Sequence, residues 1–365
     1  MHDTRTLSHR LITPLITAIL SFAAAGCGGG AGDAPQPVPP PPATPQFIPE
    51  GLQGRIVSRL RPSDAGVLAA TDAGVFQRSG GAWEPRGLAD QTILDVIAIS
   101  GQRWIASARP TADGPAATPQ LLKTVDGGAS WEPIPSNFGG PLGPEPAHAL
   151  AFDGPRQRLV ATGSDVLAES RDEGRTWTVL HGDWHGFSQP KAALVVHAGS
   201  GDIWYGGQDA IEGLILFGRA EATRQVVTHA GLLPSPSVVK GLQFATAVDA
   251  AHLLIAGEGG VVQTRDGGAT WEKLLHDGYN FYFDVAFDAY KPGRLVSARW
   301  MKNYDTPQAA HLVVSDDAGK TWRSFQTTDP ALFGGAWAIH ALQESGRTSY
   351  LLGLYKGGVM RVELP

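Results

Sequence analysis

Residues 264–275 read TRDGGATWEKLL, and the same word returns as TVDGGASW (124–131), SRDEGRTW (170–177) and SDDAGKTW (315–322). The shared pattern is Ser/Thr-x-Asp-x-Gly-x-Ser/Thr-Trp. The closing tryptophans, Trp131, Trp177, Trp271 and Trp322, stand 46, 94 and 51 residues apart, and a shortened copy, FQRSGGAW, ends at Trp83, 48 residues before Trp131. The middle gap is two periods. A fixed period in the high forties is the mark of a repeat architecture, in which each unit buries its apolar face against the next.

Within a period the pattern is constant. LVATGSDVLAESRDEGRTW (159–177) aligns with LLIAGEGGVVQTRDGGATW (253–271), and GVLAATDAGVFQRSGGAW (66–83) is a shortened relative. Each holds two short apolar runs around Gly/Asp turns. A further run precedes them (AHALAFD, KGLQFAT, YFDVAFD) and another follows (TWTVL, TWEKLL, TWRSF). Four short strands per period with almost no helical periodicity describe one blade of an all-β propeller. Six periods run from about Arg55 to Phe325, the fourth (about 190–230) without the word. The remainder, GAWAIHALQESGRTSYLLGLYKGGVMRVELP, supplies three strands. QFIPEGL (46–52) can supply the fourth, joining the termini and removing two open edges. The expectation is a single seven-bladed β-propeller over 47–365 with four-stranded blades, closed by the N-terminal strand, with six or eight blades as the alternatives.

The four words resemble the Asp-box, or BNR repeat, and the resemblance covers nearly all of residues 50–365. It implies that each word forms the hairpin between the third and fourth strands of a blade. There Asp126, Asp172, Asp266 and Asp317 would accept hydrogen bonds from turn amides, and the glycine two places on would take a positive φ. Trp131, Trp177, Trp271 and Trp322 would bring apolar area between blades. Four equivalent carboxylates spread around a ring cannot converge on one substrate, so the word reads as architecture.

The N-terminus, MHDTRTLSHRLITPLITAILSFAAAGCGGG, places Arg5 and Arg10 ahead of an apolar run, Leu11 to Ala25, shorter than a bilayer span. Ala24-Ala25-Gly26-Cys27 resembles the lipobox of bacterial lipoproteins, with Ala24 where leucine is usual. This implies a signal peptide at 1–26, acylation of Cys27, the only cysteine, and a lipid anchor in the bacterial cell envelope, at the outer membrane, facing periplasm or surface. Residues 27–46, rich in glycine and proline, cannot bury apolar surface and read as a tether. The formal charge is −6 and no Lys/Arg run appears, so nucleic acid is set aside as a partner.

With the words on one face, a site belongs on the other. Long loops are expected at 106–120, 181–190 and 297–310, joined by 276–284 and 329–337. They bring Trp184, Tyr279, Phe281, Tyr282, Trp300, Tyr304 and Trp337 toward that face, with Arg109, His185, Arg299, Lys302 and Asp305 among them. Aromatic rings beside charged groups on loops suit a sugar or an extended peptide. His181, Asp183 and His185 are the nearest approach to a metal site, but an HxxxH outside a helix is not a ligand set. No metal or cofactor is expected, and the chain reads as a monomer.

Asp-box propellers include sialidases, xyloglucan-type endoglucanases, sortilin-like receptors and photosystem II assembly-factor-like proteins. A sialidase needs three arginines and a tyrosine nucleophile; here Arg55-Ile56-Val57 and Arg61-Pro62 are only fragments of its early Arg-Ile-Pro. A glucanase needs two carboxylates across the scissile bond. Asp183, Asp209, Glu212, Glu258 and Asp305 are the candidates, and none belongs to a recognisable motif. The reading favoured is a non-catalytic extracytoplasmic scaffold that presents the long-loop face to a protein or polysaccharide; the alternative is a glycoside hydrolase on the same fold. Trp300→Ala with Tyr304→Ala is expected to weaken binding without unfolding, and Asp266→Ala to do the reverse.

Overall fold

The computed structural model describes residues 44–111, 119–136, 138, 146–182, 191–208, 214–229, 238–301 and 303–365. The expected signal segment, Cys27 and almost all of the expected tether lie outside the described residues. All regular structure among the described residues is strand. The cause is visible in the second hairpin: Gly66–Thr71 (GVLAAT) and Gly74–Ser79 (GVFQRS), both mostly buried, are joined through Asp72-Ala73, and Gly74 takes φ +98°. A side chain at Gly74 would put its Cβ 2.5 Å from the Gly87 carbonyl, so the tight turn and the close approach both require glycine.

Each sheet is an antiparallel meander in chain order. The first is Val57–Ser63, Gly66–Thr71, Gly74–Ser79 and Ala82–Pro85; the second is Gln91–Ser100, Arg103–Pro110, Gln120–Thr124 and Glu132–Ile134. The third is Ala149–Asp153, Arg158–Thr162, Leu167–Ser170 and Thr178–His181, and the fourth is Ala193–Val196, Ile203–Gln208, Leu214–Arg219 and Val226–Thr228. A closing sheet joins Ala336–Glu344, Arg347–Leu354 and Gly358–Glu363 to Gln46–Pro49, which pairs with Gly358–Glu363 from Gln46↔Glu363 to Pro49↔Met360. Velcro-like closure by the N-terminal strand is therefore present.

The expectation of seven separate four-stranded blades is corrected. Five four-stranded blades stand as discrete sheets, and residues 239–326 form one six-stranded sheet: Val239–Phe244, Leu253–Thr264, Glu272–Phe287, Leu295–Trp300, His311–Ser315 and Arg323–Gln326. Leu253–Thr264 pairs backward through Leu253–Gly257 and forward through Glu258 and Gly260–Gln263, with a register shift between Glu258 and Gly260. Glu272–Phe287 likewise pairs with the preceding strand and then, from Phe281, with Leu295–Trp300. Residues 276–284, expected as a loop, stay in this long strand: HDGYNFYFD contains no proline and ends in an aromatic run that favours extended chain.

The four words fold alike. Thr124 Oγ1 donates to Asp126 Oδ1 (2.7 Å) and accepts from Gly128 N (3.0 Å), while Ser130 N and Oγ donate to the two Asp126 oxygens at 2.9 and 2.6 Å. The same four bonds recur around Asp172, Asp266 and Asp317. Gly128, Gly174, Gly268 and Gly319 all have φ between +87° and +92°. The preceding residue is left-handed too, even where it is Glu173 or Ala318. These turns join third to fourth strands and share a face with the turns that end each first strand. The core lies in layers between neighbouring sheets; Leu68, Ala70 and Val75, for instance, pack on Ile93, Val96 and Ala106.

Candidate functional site

On the face opposite the repeated turns, the ends of several strands bring six rings together: Phe281, Phe283, Trp300, Tyr304, Trp337 and Tyr355. Phe281 and Trp300 are cross-strand partners with centroids 5.7 Å apart. Phe283 stacks on Trp337 (5.3 Å, 17°), and Trp337 lies 5.1 Å from Tyr355. Tyr304 meets Trp300 at 4.6 Å and Tyr355 at 5.3 Å, both edge to face. Gly335 makes the cluster possible, because a Cβ there would sit 2.1 Å from Trp300 Cδ1. Lys240 Nζ lies 5.7 and 5.5 Å from the Phe281 and Phe283 centroids, and Lys356 Nζ 5.1 Å from that of Tyr355, within cation–π range. The Trp337 indole N–H is buried and makes no hydrogen bond among the described residues.

Cations continue from the cluster along the starts of the first strands. Arg59 donates through Nη2 to the Ala192 carbonyl at 2.6 Å, linking the first sheet to the segment that enters the fourth. Burial, and then the Arg59 charge, lower the pKa of Lys240. Burial pushes His148 down to about 4, helped by Lys191, Arg109 and Arg59. Deeper in, Arg61 grips Asp95 through two bonds (3.0 and 2.6 Å), and the same carboxylate accepts from Val96 N and Leu150 N, both at 2.9 Å. Asp284 accepts from Val285 N at 2.9 Å, and burial raises its pKa to about 6 against the pull of that bond and of Arg61 and Arg59.

The sequence-derived candidates separate into groups. Trp300, Tyr304 and Trp337 meet in the cluster. Trp300, however, is only 3% exposed and ends a strand rather than standing on a loop, whereas Tyr304 is 48% exposed. Tyr282 and Arg299 do not join it. Tyr282 is fully buried and donates to Asp277 Oδ2 (2.7 Å), which also accepts from Arg299 Nη1 (2.8 Å). Burial and this carboxylate raise the Tyr282 pKa well above the phenol range, the opposite of what a tyrosine nucleophile requires. Arg109 lies exposed at a strand end near His148, and Asp305 is exposed in the 301–310 connection. Trp184, His185 and Lys302 lie outside the described residues, as does the Tyr279 side chain. Phe283, Tyr355, Lys240, Arg59 and Asp284 were not singled out from sequence; Phe283 alone had a local signal, alternating with Phe281 in NFYFD.

A cavity of about 770 Å³ opens on the other face, where the first strands end. Leu60, Arg61, Gln243, Asp284 and His340 line its inner part. Burial, with Arg61 and Arg78 adding to it, pushes His340 down to about 4. Asp288, also in the lining, is occupied by Tyr350 Oη (2.9 Å) and Thr348 Oγ1 (2.6 Å). Asp284 thus faces the cavity without a second free carboxylate among the described lining residues.

No protein-family model matches the chain, and no curated protein sequence matches it. Solved structures do. YCF48 from Cyanidioschyzon merolae superposes with a TM-score of 0.62 at 16% identity, covering 88% of this chain and 99% of that one. A GH74 enzyme from Niastella koreensis gives 0.66 at 16% identity over 86% of this chain, and a GH74 xyloglucanase from Xanthomonas campestris 0.63 at 16% over 87%. The chain spans 53% of each GH74 enzyme. Identities this low speak for the fold alone, and the chain shares the β-propeller fold with these proteins.

Proposed function

We propose that this chain is a non-catalytic scaffold outside the cytoplasm, held at the envelope by a lipid on Cys27 and built from Asp-box blades. Its long-loop face binds a protein or glycan partner. The observation that carries this reading is the six-ring cluster edged by Lys240 and Lys356, with Tyr304 exposed on it and the Trp337 indole N–H left without an acceptor. Rings give a ligand large rigid contact area, and an adjoining rim of Arg59, Arg109 and Lys240 favours a partner carrying acidic groups.

A hydrolase fits these residues less well. Asp284 has the raised pKa of a general acid, but glycoside hydrolysis needs a second carboxylate or an accessible nucleophile opposite it. Asp95 is consumed by Arg61 and two backbone amides, Asp288 by Tyr350 and Thr348, and Tyr282 by burial.

The test compares the full chain with Tyr304→Ala/Lys356→Ala in a crosslinking pull-down from the native envelope. Both side chains are exposed, so the variant should melt with the parent and lose the partner. Trp300→Ala is unsuited to this purpose: emptying a buried tryptophan site costs about 3–5 kcal/mol. Retention of the partner by the double variant overturns the assignment of the face, and hydrolysis of a polysaccharide or sialoside that Asp284→Asn abolishes replaces the scaffold reading with the hydrolase.

A further inference from the structure

The cavity of about 770 Å³ that opens where the first strands end carries polar atoms that the fold leaves unpaired. The pairing of Glu272–Phe287 with Leu295–Trp300 shifts register between Tyr282 and Val285, which releases Asp284 from the ladder. Ser297 Oγ donates to the Asp284 carbonyl (2.6 Å), fixing the backbone there, and Val285 N donates to Asp284 Oδ1 (2.9 Å). Gly241 on the neighbouring strand admits this arrangement, because a Cβ there would lie 2.7 Å from Asp284 Cα and 3.0 Å from Oδ1.

Asp284 and His340 lie deep enough that burial is the main influence on the pKa of each, yet both keep part of their surface. Both line the cavity, so that surface faces it. Asp284 Oδ2 and the two His340 nitrogens make no hydrogen bond among the described residues, and none of the three is sealed from solvent. Arg61 adds a donor: Nε and Nη2 hold Asp95, while Nη1 stays open on a side chain that is 28% exposed. The three side chains form one group, since the Arg61 charge acts on both Asp284 and His340. An open guanidinium N–H calls for an acceptor, best an anionic one, and an open carboxylate oxygen for a donor, best a cationic one. Arg59 and Arg61 on one side, Asp95 and Asp284 on the other, balance the charge of the inner part, which suits a guest with no net charge. At the mouth Arg294 is held by Asp316 (2.6 Å), Asp288 by Tyr350 and Thr348, and Arg265 is exposed. Leu60, Phe244 and Ile339 supply apolar wall. A zwitterion with an apolar substituent meets all of these conditions, and the volume is within the range of small-molecule sites.

We infer that this cavity is a second binding site, independent of the aromatic face, for a free α-amino acid with an apolar side chain. Its carboxylate accepts from Arg61 Nη1 and the His340 ring, its ammonium donates to Asp284 Oδ2, and its side chain lies against Leu60, Phe244 and Ile339.

The test is calorimetric titration of the full chain with L-phenylalanine, with N-acetyl-L-phenylalanine, which lacks the ammonium, and with L-phenylalaninamide, which lacks the carboxylate. L-Phenylalanine should bind with a Kd on the order of 0.1–1 mM, a reasonable value for so small a ligand, and each derivative at least about tenfold more weakly. Asp284→Asn retains an oxygen for the bond from Val285 N, so it should melt with the parent. It should weaken L-phenylalanine about tenfold and leave the N-acetyl derivative no weaker than before. If that variant does not fold, the two derivatives decide the matter on the parent chain. Absence of L-phenylalanine binding, equal binding of all three compounds, or L-phenylalanine binding that Asp284→Asn does not weaken each overturns the proposal. So does tighter binding of the N-acetyl derivative, which would mark a site for peptide C-termini instead.

Discussion

The seams at Trp131 and Trp271 begin from the same eight-residue word and end differently. At Trp131 the indole reaches a backbone carbonyl of the preceding sheet, and Gly128 presses on that same carbonyl. At Trp271 a turn with the same bonds faces the fourth sheet, which has no copy of the word, meets rings in place of a carbonyl, and leaves a cavity beside them. The turn is therefore autonomous, since its bonds are all local, while the staple depends on a neighbour some 45 residues away.

Substitution of the turn glycines should show the largest contrast. Gly128→Ala combines a left-handed φ with collision against backbone that cannot yield, and should cost about 3 kcal/mol or more. Gly268→Ala carries the same φ but collides with rings that border a cavity, so about 1–2 kcal/mol is expected. Chemical denaturation of both variants checks this, and equal losses would erase the distinction between the seams.

A smaller effect comes from Trp131→Phe, which removes the bond to Arg86 and should cost about 1 kcal/mol more than Trp271→Phe, where no bond exists to lose. Melting the two variants side by side reads the difference directly.

The smallest contrast is an expected equality. Hydrogen bonds from the hydroxyl and amide four residues on hold each of Asp126, Asp172, Asp266 and Asp317 at about 2, below the ordinary 3.8. A carboxylate with a depressed folded-state pKa contributes stability above about 4, and that contribution fades as pH falls toward 2. Asp126→Ala and Asp266→Ala should flatten the acid limb of the stability curve by the same amount. A difference between them would mean that the seam reaches into the turn itself.

How far the sequence could be read depended on the range of the interactions involved. The all-β class, the strand pattern and the four turns follow from alternation, glycine placement and a recurring word, all of them local, whereas the closure by 46–49 was legible only by counting strands, since it pairs residues more than 300 apart in the chain. The number of discrete sheets did not follow: nothing in AGEGGVVQ (256–263) or HDGYNFYFD (276–284) says whether a strand will break or bulge and run on, because that depends on which neighbours complete its ladder. Trp300, Tyr304 and Trp337 were legible as rings near chain reversals. That Trp300 would be buried and Tyr282 withdrawn to Asp277 was not, since side-chain direction on a strand depends on a register that bulges reset.

By itself, then, the amino-acid order determined the repeat and the hairpin chemistry of each word, since each rests on contacts between residues close in the chain. Only the tertiary structure decided the merged six-stranded sheet, the company kept by Lys240 and Arg59, and the unpaired indole of Trp271. Those depend on distant segments meeting, and an orphaned donor becomes visible only when every possible acceptor has been placed.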